Sequence, residues 1–172
     1  AGILLEKGSK SGDVVTVLMD RSFEMVIAFL SIMKAGAAYM PASKDLPVDR
    51  ISYMISNSSS RYLIGSSIDD QEISEILESG GVRSINTIFI DEDNLQEKDA
   101  QTANFPEIDQ QDSDLVIYAS GSTGRPKGVV LSNRNVTETS KNSSEFDHLS
   151  AGEETLAYLP MAWVGDFIFS IG

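Results

Sequence analysis

The residues best suited to chemistry lie together in Ser120-Gly121-Ser122-Thr123-Gly124-Arg125-Pro126-Lys127-Gly128. Glycines remove the Cβ atoms that would keep a phosphate away from backbone N–H groups. The hydroxyls of Ser120, Ser122 and Thr123 add donors, and Lys127 supplies positive charge. Pro126 stiffens the turn, so that the lysine arrives from a fixed direction. A loop of this kind can grip a triphosphate; the competing reading is a solvent-facing hairpin of small polar residues. The Walker phosphate loop does not fit. Counted from Gly121, Pro126 falls where its second glycine belongs, and Gly128 where Ser or Thr would hold magnesium. The dinucleotide fingerprint fails as well, because it needs glycines at three set places and a helix directly after them.

The segments around this loop read as the scaffold that must hold it. Val14 to Met19 is a nearly unbroken apolar run, suited to a strand buried on both faces. Asp20 and Ser22 offer N-cap oxygens for a helix whose Phe23, Val26, Ile27, Leu30 and Met33 are spaced by threes and fours onto one face; Gly36 ends it. Ala37 to Met40 predicts a short strand halted by Pro41. Pro47 opens a helix lined by Ile51 and Met54 or Ile55. The alternation continues with a strand over Arg61 to Ile64, a helix around Glu72 to Leu77 and a strand over Ile85 to Ile90. Strand Leu115 to Ala119 leads into the loop. Strand Val129 to Leu131, a polar helix-like stretch and strand Thr155 to Leu159 follow it. Strands and helices alternating at this rhythm predict an α/β layered fold with a largely parallel sheet flanked by helices.

Composition removes whole classes of function. There is no cysteine, so thiol nucleophiles, disulfides and thiolate metal sites are excluded, and the single histidine, His148, argues against a His-rich metal centre and against a triad, each of which needs an imidazole placed with its partners. Twenty-six acids against thirteen bases give a net charge of −13, which repels nucleic acid and anionic membrane surfaces. Asp91 to Asp114 alone holds nine acids and one lysine and reads as a solvated connector. No apolar run approaches the roughly 20 residues of a membrane span, and no basic segment leads into an apolar signal core, so a soluble, cytoplasmic protein is expected. The chain opens on Ala1 and closes on the apolar Phe167-Ile168-Phe169-Ser170-Ile171-Gly172, which predicts a piece of a longer protein.

The loop Ser120 to Gly128 closely resembles the signature phosphate loop of the adenylate-forming (AMP-binding) superfamily. That superfamily includes acyl-CoA synthetases, aryl-CoA ligases, luciferases and the amino-acid adenylation domains of non-ribosomal peptide synthetases. Its pattern is Tyr-Thr-Ser-Gly-Ser/Thr-Thr-Gly-x-Pro-Lys-Gly; here Ala119 stands in the place of the threonine. Met19-Asp20-Arg21-Ser22, Lys34-Ala35-Gly36-Ala37-Ala38-Tyr39-Met40-Pro41 and Pro47-Val48-Asp49-Arg50-Ile51 resemble early core motifs of the same superfamily, especially in amino-acid adenylation domains. Leu156-Ala157-Tyr158-Leu159-Pro160-Met161-Ala162-Trp163 resembles the stretch where acyl-CoA synthetases carry Leu-Pro-Leu-x-His beside the acyl pocket. Trp163 stands where that histidine is common, either gating an apolar tunnel or packing in the core. Amino-acid adenylation domains usually have Phe-Asp here; Val164 holds the acid's position, and Asp166 lies close by.

The resemblance implies residues 1–172 of a partial N-terminal AMP-binding domain, with the C-terminal domain absent. It further implies that Ser120, Gly121, Ser122, Thr123, Gly124, Lys127 and Gly128 bind the phosphates of ATP and that Trp163 contacts the acid substrate. No catalytic acid–base residue and no metal ligand are implied within the chain. The reaction would be attack of a carboxylate on the α-phosphorus of ATP, with Mg²⁺ as charge partner, followed by transfer of the acyl group to CoA or to a phosphopantetheine carrier protein. The pocket segment points to an acyl-CoA synthetase acting on a fatty or aryl acid; the upstream motifs point instead to an amino-acid adenylation domain. A third alternative is a non-catalytic nucleotide-binding module that keeps the loop without the chemistry. The chain by itself is expected to be inactive as a ligase.

Overall fold

A computed structural model describes residues 1–90, 104–119 and 124–150. The strands are β1 (Val14–Leu18), β2 (Ala38–Ala42), β3 (Tyr62–Ser66), β4 (Asn86–Ile90), β5 (Ser113–Ala119) and β6 (Lys127–Ser132). The helices are α1 (Gly2–Glu6), α2 (Phe23–Lys34), α3 (Val48–Asn57), α4 (Asp70–Ser79) and α5 (Asn133–Phe146). The strands form one sheet in the order β4-β3-β1-β2-β5-β6. All neighbours are parallel except β5 and β6, which are antiparallel. One apolar cluster lies between the sheet and α1, α2 and α5, and a second between the opposite face and α3 and α4. The result is a three-layered α/β fold with a largely parallel sheet, as the alternation of strands and helices predicts.

The apolar run of β1 is buried on both faces, Val15 and Val17 toward one cluster and Leu18 toward the other. Thr16, its one polar member, donates to Ser60 Oγ at 2.8 Å, so its hydroxyl is paired inside the core. Ser22 caps α2 by accepting from the Met25 N–H at 3.3 Å, and Gly36 leaves the helix at φ +72°, a left-handed turn that glycine takes without Cβ strain.

Three expectations are corrected. The face of α2 that packs on the sheet carries Met25, Ala28, Phe29 and Ile32, whereas Phe23 and Leu30 of the expected stripe are 87% and 55% exposed. The helix is apolar on two sides, so spacing by threes and fours selects either stripe equally well. Pro41 does not halt β2: it lies inside the strand, opposite Val17 of β1. The ladder from β2 to β5 is recorded at Tyr39↔Leu115, so a residue without an N–H at Pro41 interrupts no bond on that side. Asp114 is not part of a solvated connector. It sits in β5 at 2% exposure, where a register shift between Ser113 and Leu115 sets two residues of β5 against one of β6.

The strand expected over Thr155 to Leu159, the acid-pocket segment around Trp163 and Asp166, and the connector from 91 to 103 lie outside the described residues. No helix among the described residues is long and apolar enough to cross a membrane.

Candidate functional site

The segment expected to grip phosphate connects β5 to β6. β5 runs parallel to β2, so the hairpin turns at the carboxyl-terminal edge of the parallel strands, the edge where open α/β sheets bind their ligands. Of the expected phosphate contacts, Ser120, Gly121, Ser122 and Thr123 fall outside the described residues; Gly124, Lys127 and Gly128 are placed. Gly124 has φ +112°, a conformation that a side chain rarely tolerates. Lys127 is the first residue of β6 and lies directly opposite Ala119, the last of β5. It is exposed, and no salt bridge engages it among the described residues, so its charge is available at the base of the loop. A free ammonium beside a glycine-permitted turn fits a phosphate group in charge and in access.

Gly128 has a packing reason as well. It lies opposite Tyr118, and a Cβ at Gly128 would come within 3.0 Å of Tyr118 Cζ, so the missing side chain gives the ring its place. The Tyr118 hydroxyl then donates to Asn57 Oδ1 at 2.8 Å, and the ring meets Tyr53 edge-on, centroids 6.5 Å apart. Burial, and after it the neighbouring Tyr53, raise the Tyr118 phenol above its ordinary value against the pull of a hydrogen bond with Ser58, so the hydroxyl stays a neutral donor. On the far side of the loop the Arg125 guanidinium lies over the Tyr53 ring, 5.6 Å from its centroid. Sequence reading gives no reason to join Tyr53 and Asn57 to Tyr118 and Arg125, because only the fold brings α3 to the hairpin. The remaining end of the hairpin is fixed by α5, whose N-terminus is closed reciprocally: Asn135 N–H donates to Ser132 Oγ and Ser132 N–H donates to Asn135 Oδ1.

A second polar group gathers the segments that follow β1, β2 and β3. Lys44 reaches Asp69 at 2.8 Å, Asp20 at 2.9 Å and Glu72 at 3.4 Å. Partial burial would lower its pKa, yet the hydrogen bonds to Asp69 and Asp20 outweigh this and raise it. Asp20, offered by the sequence as a helix cap, therefore serves as an ion-pair partner. Among the described residues no group of three or more His, Cys, Asp or Glu side chains is arranged to hold a metal ion.

A largely parallel sheet covered on both faces, with a glycine- and lysine-bearing loop at its carboxyl edge, is an α/β architecture of the kind that binds ligands at that edge. A family model for AMP-binding enzymes matches residues 1–171, and the chain belongs to that family. It is 35% identical over 151 residues to a plipastatin synthase of Bacillus subtilis strain 168, covering 86% of this chain and 6% of that one. It is 34% identical over 145 residues to gramicidin S synthase 2 of Brevibacillus brevis, covering 84% and 3%. The chain thus spans a small fraction of these relatives. Among solved structures, McyG A-PCP complexed with phenylalanyl-adenylate superposes with a TM-score of 0.83 at 24% identity, over 96% of this chain and 27% of that one. A putative long-chain-fatty-acid CoA ligase from Rhodopseudomonas palustris gives 0.82 at 19% identity, over 96% and 43%. Scores this close show a shared fold and do not separate the two kinds of substrate.

Proposed function

We propose that this chain is the leading part of an amino-acid adenylation domain of the non-ribosomal peptide synthetase type. In this reading the carboxylate of an amino acid, or of a close relative of one, attacks the α-phosphorus of ATP. The bond from that phosphorus to the bridging oxygen breaks, and pyrophosphate leaves. Lys127, with the hydroxyls of Ser120, Ser122 and Thr123, holds the β- and γ-phosphates and takes up the charge that develops on the leaving group. Gly121, Gly124 and Gly128 let the backbone approach. Mg²⁺ would neutralise further phosphate charge, with ligands beyond the described residues. The acyl group would then pass to a phosphopantetheine carrier protein, the acceptor that this reading implies in place of free CoA.

The observation that carries this reading is the extended identity to synthases of plipastatin and gramicidin S. It favours the amino-acid reading over the fatty or aryl acyl-CoA synthetase suggested by the segment around Trp163. That suggestion rests on one short pocket segment and the missing acid at Val164, whereas the relatives match along most of the chain. Trp163 keeps a proposed place beside the acid, as part of an amino-acid pocket. ATP–pyrophosphate exchange by the full-length protein, across a panel of amino, fatty and aryl acids, tests the choice. Exchange driven by an amino acid is expected; exchange driven only by fatty or aryl acids would restore the acyl-CoA synthetase reading.

A further inference from the structure

We infer that Tyr53 and Asn57 of α3 are positioning residues for the phosphate loop, acting through Tyr118 at its start and Arg125 at its end. The inference rests on the proposal that this loop holds ATP. A hairpin loop bounded by Ala119 and Lys127 keeps a fixed geometry only if both of its flanks are held, and the ladder supplies one constraint, the pairing of Ala119 with Lys127. α3 supplies the others. Asn57 Oδ1 accepts from the Tyr118 hydroxyl at 2.8 Å, at the position preceding Ala119. Tyr53 touches both sides at once: its ring meets Tyr118 edge-on and lies beneath the Arg125 guanidinium. Gly128 completes the arrangement, because only a residue without a Cβ lets the Tyr118 ring lie against β6 without displacement.

The geometry also explains the polarity of α3. Ile51, Met54 and Ile55 are buried against the sheet, while Tyr53 and Asn57, four residues apart and hence on one side of the helix, reach the hairpin. None of these groups needs to touch ATP. They narrow the range of positions from which Lys127 and the loop backbone meet the phosphates, so the loss of one should weaken ATP binding and leave the acid site alone.

The test is ATP–pyrophosphate exchange by full-length protein carrying Asn57→Leu, Tyr118→Phe, the two together, Asn57→Asp and, separately, Lys127→Ala. Tyr118→Phe removes only the hydroxyl, so the ring contacts and the fold are kept. Asn57→Leu and Tyr118→Phe should each raise the KM for ATP about 5- to 10-fold, the scale of one lost hydrogen bond, with the KM for the acid unchanged. The double variant should be no worse than either single one, and Asn57→Asp, which keeps an acceptor, should stay near wild type. An unchanged KM for ATP in both single variants, or equal losses for ATP and acid, overturns the positioning role. If Lys127→Ala raises the KM for ATP while the α3 variants do not, the brace alone fails; if Lys127→Ala has no effect either, the ATP reading of the loop fails with it.

Discussion

The parallel strands β1 to β3 and the β5–β6 hairpin are built on opposite terms. In β1 to β3 nearly every residue is buried between two helix layers, and apolar side chains fill both faces. Among the described residues β6 has a strand partner on one side only, and Val129 and Val130 are 48% and 59% exposed. The strand that carries Lys127 is thus held by its pairing with β5, by the α5 cap and, through Tyr118, by α3. Stability sits in the middle of the sheet. The loop sits where packing is thinnest, and a few directed contacts take the place that burial has elsewhere.

Substitutions in the two regions should separate them. The largest effect is expected from Phe29→Ala, which empties a buried site between α2 and the sheet: about 3–5 kcal/mol lost in urea unfolding. A loss below about 1 kcal/mol would mean that the α2 layer is not the core it is taken to be.

Next comes Asp114, at the bulge of β5. Burial pushes its carboxyl up to about 6 from an ordinary 3.8, and its Oδ2 has no hydrogen-bond partner among the described residues. The native state therefore holds a proton that the unfolded chain releases at lower pH. The contribution of Asp114 to stability is complete below about pH 4, declines as pH rises through 6 and is flat above that. Asp114→Asn should raise stability by about 1–3 kcal/mol at pH 7.5 and leave it unchanged at pH 3.5. A gain that is equal at both pH values would refute the ionisation argument. The smallest effect belongs to the exposed edge: Val130→Ala should stay within about 0.5 kcal/mol of the wild type, and a larger loss would show that β6 is better packed than its exposure indicates.

Much of this arrangement was legible in the residues. The apolar run of β1, the Ser22 cap, the Gly36 stop and the alternation of elements each carry a local physical cause, and each appears in the fold. The glycines, hydroxyls and lysine of the loop point to the phosphate role proposed for it, although a solvent-facing hairpin uses the same residue types. What escaped was decided by tertiary neighbours. α2 offers two apolar stripes, and only the sheet chooses between them. Pro41 looks like a breaker until the sparse pairing toward β5 is known. Asp114 looks like one more acid in an acidic stretch until the bulge buries it. Tyr53 and Asn57 lie more than sixty residues before Tyr118 and Arg125 in the chain, and no spacing rule joins them.

The proposed chemistry turns on Lys127 and the triphosphate. Steady-state ATP–pyrophosphate exchange by the full-length protein, with Lys127→Ala beside the wild type, tests it most directly. A rise of about tenfold or more in the KM for ATP, or a comparable fall in kcat, with the acid KM unchanged, is the expected result. ATP kinetics identical to wild type would contradict the assignment of this loop to the phosphates.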